Sequence, residues 1–287
     1  MLFEFTKYQG AGNDFILLDD RREFFPLANQ KLVQLLCDRH FGVGADGLIL
    51  LRNPSPRGIQ EGNHESRIPA FAMVYFNADG REGSLCGNGG RSAVHFAGSL
   101  NLVNASPGSK TNFIAADGVH EAEFLPGDRI ALAMHPVDKW QELPDSSGGR
   151  AWVLDTGSPH FVCFSPDTPE LDVVAQGRAI RYSAPFAEKG INVNFAGPGA
   201  GSATDPMVMR TYERGVEQET LACGTGATAV ALAQSLLKDT TGAQTVVLKA
   251  PGGLLEVHFT RQGSTFHSIR LIGPAAPVFR GTWFDEA

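Results

Sequence analysis

At 287 residues, 43% apolar and 19% charged, the chain is long enough for two domains and has the composition of an ordinary globular protein. Its formal charge of -7 gives no basic footprint for non-specific nucleic-acid binding, and no run approaches the roughly 20 consecutive apolar residues that cross a bilayer. The segment Met1 to Asp14 has no basic start followed by an apolar core and cleavage site, so a secretory leader is not expected and a cytoplasmic protein is.

In chain order, partial alternation over Leu2–Tyr8 predicts a strand, a glycine-broken loop follows at Gln9–Asp14, and Phe15–Leu18 predicts a second strand. Leu27–Cys37 has a helical pattern with Leu32, Val33, Leu35 and Leu36 forming a broad apolar face. Gly47–Leu51 and Phe71–Phe76 read as strands, and the polar stretch 52–68 between them as a loop or hairpin extension. Gly87–Leu100 reads as a helix, and Thr111–Ala133 as strands broken near Asp117-Gly118 and Pro126-Gly127. Asp138–Arg150 reads as loop, Ala151–Leu154 and Phe161–Phe164 as strands, and Leu171–Arg181 as a short helix. Ile191–Phe195 and Met207–Tyr212 have strand character on either side of a small-residue turn at 198–206. Gly224–Lys238 is the clearest helix, and Val246–Leu248, Leu254–Phe259 and Ser268–Leu271 close the chain as strands. The balance is α/β, with many short strands and two prominent buried helices.

Glycine is over-represented, with 33 residues, and clusters at Gly42–Gly44, Gly87–Gly90 and Gly224–Gly226 as if for tight turns and close backbone approach. The cluster Gly42-Val43-Gly44-Ala45-Asp46-Gly47 follows a helix, with no helix after it, so it fails the context test for a dinucleotide fingerprint. The cysteines Cys37, Cys86, Cys163 and Cys223 are too widely spaced for a zinc knuckle, and the eight histidines contain no HxH or HExxH pair. No metal and no cofactor is expected. Cys37 and Cys163 fall on apolar elements and read as packed core thiols.

The other two cysteines belong to an internal echo. Tyr75-Phe76-Asn77-Ala78-Asp79-Gly80 leads to Cys86-Gly87-Asn88-Gly89, and Thr211-Tyr212-Glu213-Arg214-Gly215 leads to Cys223-Gly224-Thr225-Gly226. Each copy runs strand, polar turn, Cys-Gly-x-Gly, helix, which implies two halves with equivalent elements. A thiol just before a helix meets unsatisfied N–H groups and the positive end of the helix dipole, an environment that favours thiolate. The glycines let backbone N–H groups approach an α-carboxylate, stabilising the charge that develops as a Cα proton leaves. One thiolate and one thiol can then invert that carbon, exchanging roles in the reverse direction. Asn13, Asn77, Asn88 and Asn192, set in or near turns, supply donors and acceptors for a zwitterionic substrate. Arg214 suits a carboxylate clamp, Glu213 an ammonium contact or a proton-carrier partner, and His160 a proton acceptor for one of the cysteines.

These segments together resemble the diaminopimelate epimerase family. The resemblance is carried by Gly10–Phe15, Gly42–Gly47, Phe76–Gly80, Cys86–Arg91, Pro159-His160, Asn192–Asn194 and Tyr212 through Gly226. It implies interconversion of L,L- and meso-diaminopimelate without pyridoxal phosphate, metal or nucleotide, in bacterial lysine and peptidoglycan-precursor synthesis. It implies Cys86 and Cys223 as the catalytic pair, with His160 and Glu213 close to them. It further implies substrate contacts from Asn13, Asn77, Gly87, Asn88, Ser158, Asn192, Glu213, Arg214, Gly224 and Thr225. The implied fold is two similar α/β domains, 1–125 completed by a strand in 273–287, and 126–272. Each is a curved mixed sheet around a central helix, with the substrate in the interdomain cleft, and the implied assembly is a homodimer. Two positions depart from the family pattern: Ser158 stands where an asparagine is usual, and Gly47 where a glutamine or other polar side chain is sometimes found. A proline or hydroxyproline racemase-like enzyme is the alternative with paired cysteines, and an amino-acid-binding protein without Cα exchange is the non-enzymatic one. The related isomerases of phenazine synthesis are disfavoured by the presence of both thiols.

Overall fold

The computed structural model describes residues 2–54, 68–83, 85–144, 149–199 and 205–284. Most of the polar stretch at 52–68 and the centre of the 198–206 turn lie outside them. The chain divides into two units, Met1–Leu132 with Gly273–Ala287, and Ala133–Ile272.

In the first unit, β1 (Leu2–Gly10) and β2 (Asn13–Asp19) form a hairpin. Gly10 pairs with Asn13, so Ala11 and Gly12 alone make the turn. Both have positive φ, 54° and 90°, as a two-residue turn matched to strand twist requires. Helix α1 (Gln30–Cys37) starts later than the expected Leu27 because Asn29 caps it, its Oδ1 accepting from Leu32 N–H at 3.1 Å. Its buried face is Leu32, Val33, Leu36 and Cys37, while Leu35, expected inside, is exposed. The i, i+4 pairs 32/36 and 33/37 define one stripe, and Leu35 stands beside it. The remaining elements are β3 (Gly47–Arg52), β4 (Phe71–Asn77), α2 (Gly87–Ser99), β5 (Lys110–Ala115), β6 (Gly118–Leu125), β7 (Arg129–Ala133) and, from the end of the chain, β17 (Ala276–Phe284). The unit extends past the expected 125/126 break because β7 continues the meander, pairing Leu132 with Ala122 and Arg129 with Leu125.

The second unit contains β8 (Trp140–Pro144), β9 (Arg150–Asp155), β10 (Pro159–Phe164), α3 (Val173–Arg181), β11 (Asn192–Gly197), β12 (Met207–Glu213), β13 (Gln218–Thr220), α4 (Gly224–Leu237), β14 (Gly242–Ala250), β15 (Gly253–Gln262) and most of β16 (Thr265–Pro274). Strand β8 corrects the expectation that all of 138–150 is loop. It is exposed and lacks alternation, and its pairing with β9, Trp140 to Leu154 and Pro144 to Arg150, defines it.

The two sheets have the same plan. Across the first the order is β17-β1-β2-β3-β4-β5-β6-β7, antiparallel throughout except β2/β3 and β4/β5. Across the second it is β8-β9-β10-β11-β12-β14-β15-β16, antiparallel except β10/β11 and β12/β14. Parallel neighbours need a crossover connection, and these crossovers contain α1 and α3 in the first of each sheet, α2 and α4 in the second. Helices α2 and α4 are buried almost all round, from Gly87 to Ala97 and from Gly224 to Leu236. Each is the central helix of its unit. Among the described residues no helix is long and apolar enough to cross a membrane.

Candidate active site

In the first unit the central helix begins at its cysteine. Cys86 is the N-cap residue of α2, in extended conformation with φ -94° and ψ 120°. Its carbonyl accepts from Gly90 N–H at 2.7 Å, and its side chain is half-buried. Further along α2 Arg91 is fully buried, its Nη2 donating to Asn88 Oδ1 at 2.7 Å and its Nη1 to Gly87 O at 3.3 Å. Burial pulls this guanidinium down to about 10, while the charge of Cys86 acts in the opposite direction.

Donor and acceptor roles propagate outward from this arginine. A guanidinium only donates, so Asn88 presents its oxygen to Arg91 and its amide nitrogen to Asn13 Oδ1. Asn13 Nδ2 in turn donates to Asp46 Oδ2 at 3.0 Å. Arg39 reaches Asp46 and Asp14, each at 2.8 Å, and Lys7 reaches Asp14 at 2.8 Å. Burial alone would raise the Asp14 carboxyl, but hydrogen bonds from Arg39 and Lys7 outweigh it and hold the group at about 2. Two asparagine amides expected to bind substrate are thus oriented from both ends by charged groups. Asn77, at the exposed end of β4, receives a bond from Gly80 N–H at 2.9 Å within its turn, apart from the hydrogen bonds that join Asn13 to Asn88.

In the second unit Cys223 is the N-cap of α4, with φ -121° and ψ 112°, and is buried. Its Sγ accepts from Gly226 N–H at 3.4 Å and lies 3.5 Å from Thr225 Oγ1. Gly226 is required by close approach: a Cβ there would lie 2.4 Å from Asn194 Oδ1 and 3.2 Å from Cys223 Sγ. His160 and Asn192 sit opposite one another on the parallel pair β10/β11. His160 is fully buried, with Nε2 2.9 Å from both Ser158 Oγ and Thr225 Oγ1 and Nδ1 3.0 Å from Asn194 Nδ2. Burial first, then the positive charge of Arg214, pushes its pKa down to about 3. Asn192 Oδ1 accepts from Arg214 N–H at 2.9 Å, and its Nδ2 reaches Ser158 Oγ at 3.2 Å and Pro159 O at 3.1 Å. Glu213, at the end of β12, accepts from Thr220 Oγ1 at 2.8 Å, and the exposed Arg214 donates to Lys189 O at 3.2 Å.

The expected residues therefore gather into two groups, Asn13, Cys86, Gly87 and Asn88 in one unit, and Ser158, His160, Asn192, Glu213, Arg214, Cys223, Gly224 and Thr225 in the other. The sequence alone does not single out the supporting partners Asp46, Arg91 and Asn194. Arg91 carried a usable signal, a lone arginine in a helix of small and apolar residues. Asp46 and Asn194 look like ordinary turn and strand residues until the pairing is known. Cys37 and Cys163 are buried, and burial pushes Cys37 up to about 12, an inert thiol at neutral pH.

A family model described as diaminopimelate epimerase matches residues 5–109 and 152–277. A diaminopimelate epimerase of Flavobacterium psychrophilum is 44% identical over 278 residues, covering 96% of this chain and 98% of the relative. Those of Chlorobaculum tepidum and Aquifex aeolicus are 39% and 38% identical, covering 95% and 99% of this chain and 98% of each relative. The chain belongs to the diaminopimelate epimerase family. The fold is also shared with remote structures. A phenazine biosynthesis protein of the PhzF family from Bacillus anthracis has a TM-score of 0.68 at 12% identity, covering 99% of this chain and all of that one. A hydroxyproline epimerase from Agrobacterium vitis has a TM-score of 0.66 at 11% identity, covering 98% and 92%.

For a member of the diaminopimelate epimerase family, the two departures are built into the surroundings. Ser158 lies within hydrogen-bond reach of His160, Thr225 and Asn192. At Gly47 a Cβ would meet Phe76 O at 2.5 Å and Tyr75 Cε2 at 2.6 Å, so the ring of Tyr75 covers the place where a side chain would start.

Proposed function

We propose that this protein epimerises diaminopimelate between its L,L and meso forms by direct proton exchange, with Cys86 and Cys223 as the two proton carriers. One observation carries the reading. Each thiol caps the buried central helix of a unit, at the same step of the same eight-strand plan. Near-full-length identity to diaminopimelate epimerases supports the substrate.

The chemistry follows from what those helix starts offer. A thiolate removes the α-proton while the substrate carboxylate rests on backbone N–H groups at Gly87-Asn88 and Gly224-Thr225, which stabilise the charge spreading from Cα into the carboxylate. The second cysteine, as thiol, delivers its proton to the opposite face of the carbanion. The proton count then balances, and the two sulfurs have exchanged states. Asn13, Asn77, Glu213 and Arg214 hold the ammonium and carboxylate groups, and Glu213 and His160, the latter with Ser158 and Asn192 arranged around it, tune the cysteines. The working protein is a cytoplasmic homodimer that supplies lysine and peptidoglycan-precursor synthesis.

The test uses purified protein in reducing buffer with single diaminopimelate stereoisomers, separated afterwards by chiral chromatography. Both L,L and meso starting materials should converge on one mixture. Absence of conversion would overturn the enzymatic reading, and turnover confined to proline derivatives would overturn the substrate.

A further inference from the structure

The hydrogen bonds around His160 fix which of its nitrogens carries the proton. Asn194 Nδ2 lies 3.0 Å from Phe161 O and 3.0 Å from His160 Nδ1, while its Oδ1 accepts from Thr211 Oγ1 at 2.9 Å. A backbone carbonyl only accepts, so the group facing Phe161 O is the amide NH2 and the reversed amide is excluded. The same NH2 faces Nδ1, which must therefore accept and carry no hydrogen. A neutral imidazole then holds its one proton on Nε2, shared in a three-centre bond between Ser158 Oγ and Thr225 Oγ1.

The neighbouring amide is fixed by the same logic. Asn192 Nδ2 faces Pro159 O and its Oδ1 takes the Arg214 N–H, so the group pointing at Ser158 Oγ is a donor. With Asn192 and His160 donating around it, the Ser158 hydroxyl turns its own hydrogen to Thr225 Oγ1, 3.2 Å away. Thr225 then has His160 and Ser158 as donors, and its remaining direction is Cys223 Sγ at 3.5 Å, where Gly226 N–H also points.

We infer that Asn194 and Asn192 are positioning residues which lock His160 as its Nε2–H tautomer and aim a hydroxyl relay, through Ser158 and Thr225, at Cys223. His160 is a neutral donor that stabilises the Cys223 thiolate, in place of the proton acceptor expected from sequence. Its burial and the nearby Arg214 charge, which make it a very weak base, agree with this role. Ser158 completes the relay: a hydroxyl donates and accepts through one atom, which the two-atom amide of an asparagine does not do. The inference rests on Cys223 being a proton carrier of the proposed reaction, but its readouts need no substrate.

The first measurement is long-range proton–nitrogen correlation on the full chain labelled with 15N-histidine, His160 being assigned by the signal lost in His160→Gln. The expected result is a bare Nδ1 and a protonated Nε2, persisting in acid where exposed histidines titrate near their usual value of about 6.5. A hydrogen on Nδ1 in the wild-type protein would overturn the lock. The second is the pH profile of iodoacetamide alkylation at Cys223, read from the mass of its peptide. Thr225→Val should move the midpoint upward by about one pH unit, a roughly tenfold slower reaction below it. Thr225→Ser should restore the wild-type profile, and Asn194→Leu should shift both the profile and the tautomer. A wild-type profile in Thr225→Val would overturn the relay. If Asn194→Leu does not fold, the wild-type spectrum and the Thr225 pair still decide. A protein that shows the tautomer and the shift yet converts no diaminopimelate would refute the epimerase reading and leave the relay standing.

Discussion

Two sulfurs in matching helix caps meet different neighbours, and those neighbours set what each substitution does. Cys86 interacts electrostatically with a buried guanidinium, and the helix it caps carries Asn88, whose amide is held in a fixed orientation. Cys223 accepts from Gly226 N–H and stands beside the Thr225 hydroxyl. Separate Cys86→Ser and Cys223→Ser changes should each lower turnover by about a hundredfold or more, with unchanged thermal melting. Near-wild-type turnover from either would remove that residue from the mechanism. Gly226→Ala places a methyl 2.4 Å from Asn194 Oδ1, displacing both the amide and the sulfur, and should cost about a hundredfold in kcat. Wild-type kcat in that variant would show that the tight contact is dispensable.

His160 also makes stability depend on pH. Its folded pKa of about 3 lies below the unfolded value of about 6.5. Between those limits the unfolded chain binds a proton that the folded one excludes, so stability falls as pH drops through this window. Compared with His160→Gln, wild type should lose up to about 1.4 kcal/mol more per pH unit there. Urea unfolding at several pH values checks this, and parallel slopes for the two proteins would contradict it.

At the scale of the elements, legibility tracked how much of each element's definition is local. Both central helices were readable because Cys-Gly-x-Gly precedes a long buried run. The edges were not. β8 is exposed and exists by pairing with β9, and β13 has three residues held against the end of β12. The first turn of α1 was misplaced because Asn29, an unremarkable asparagine in sequence, supplies the cap. Strand β17 tests the non-local part most clearly. It pairs with β1 from Leu2–Phe284 to Gln9–Ala276, and Gly281 lies so close to Phe5 that a Cβ would meet its Cζ at 2.6 Å. A chain ending at Ala275 would leave β1 without that ladder and should lose cooperative unfolding and hydrogen-exchange protection in β1. Retention of both would show that the first unit folds without its C-terminal strand.

For the whole molecule, the sequence echo around Cys86 and Cys223 is local, yet the strand directions of the two units repeat from edge to edge. Sheet order depends on contacts far apart in the chain, so the echo pointed to the duplication and the topology displays its extent. The candidate site was legible where a residue type carries chemistry, as with the thiols, His160 and the Glu213-Arg214 pair. It was illegible where chemistry depends on which way an amide faces, as with Asn194, and with Asp46, which acts through the amide of Asn13. Substrate identity rests on kinship and the reaction on the paired thiols. Both meet in one measurement: L,L-diaminopimelate is converted in deuterated water, and Cα deuterium is followed separately in substrate and product at early times. Two opposed proton carriers require deuterium in the newly formed meso isomer while the remaining L,L isomer is still protiated. Equal early labelling of both isomers would mean one group serves both faces, and no labelling of either would leave the thiol pair without the reaction assigned to it.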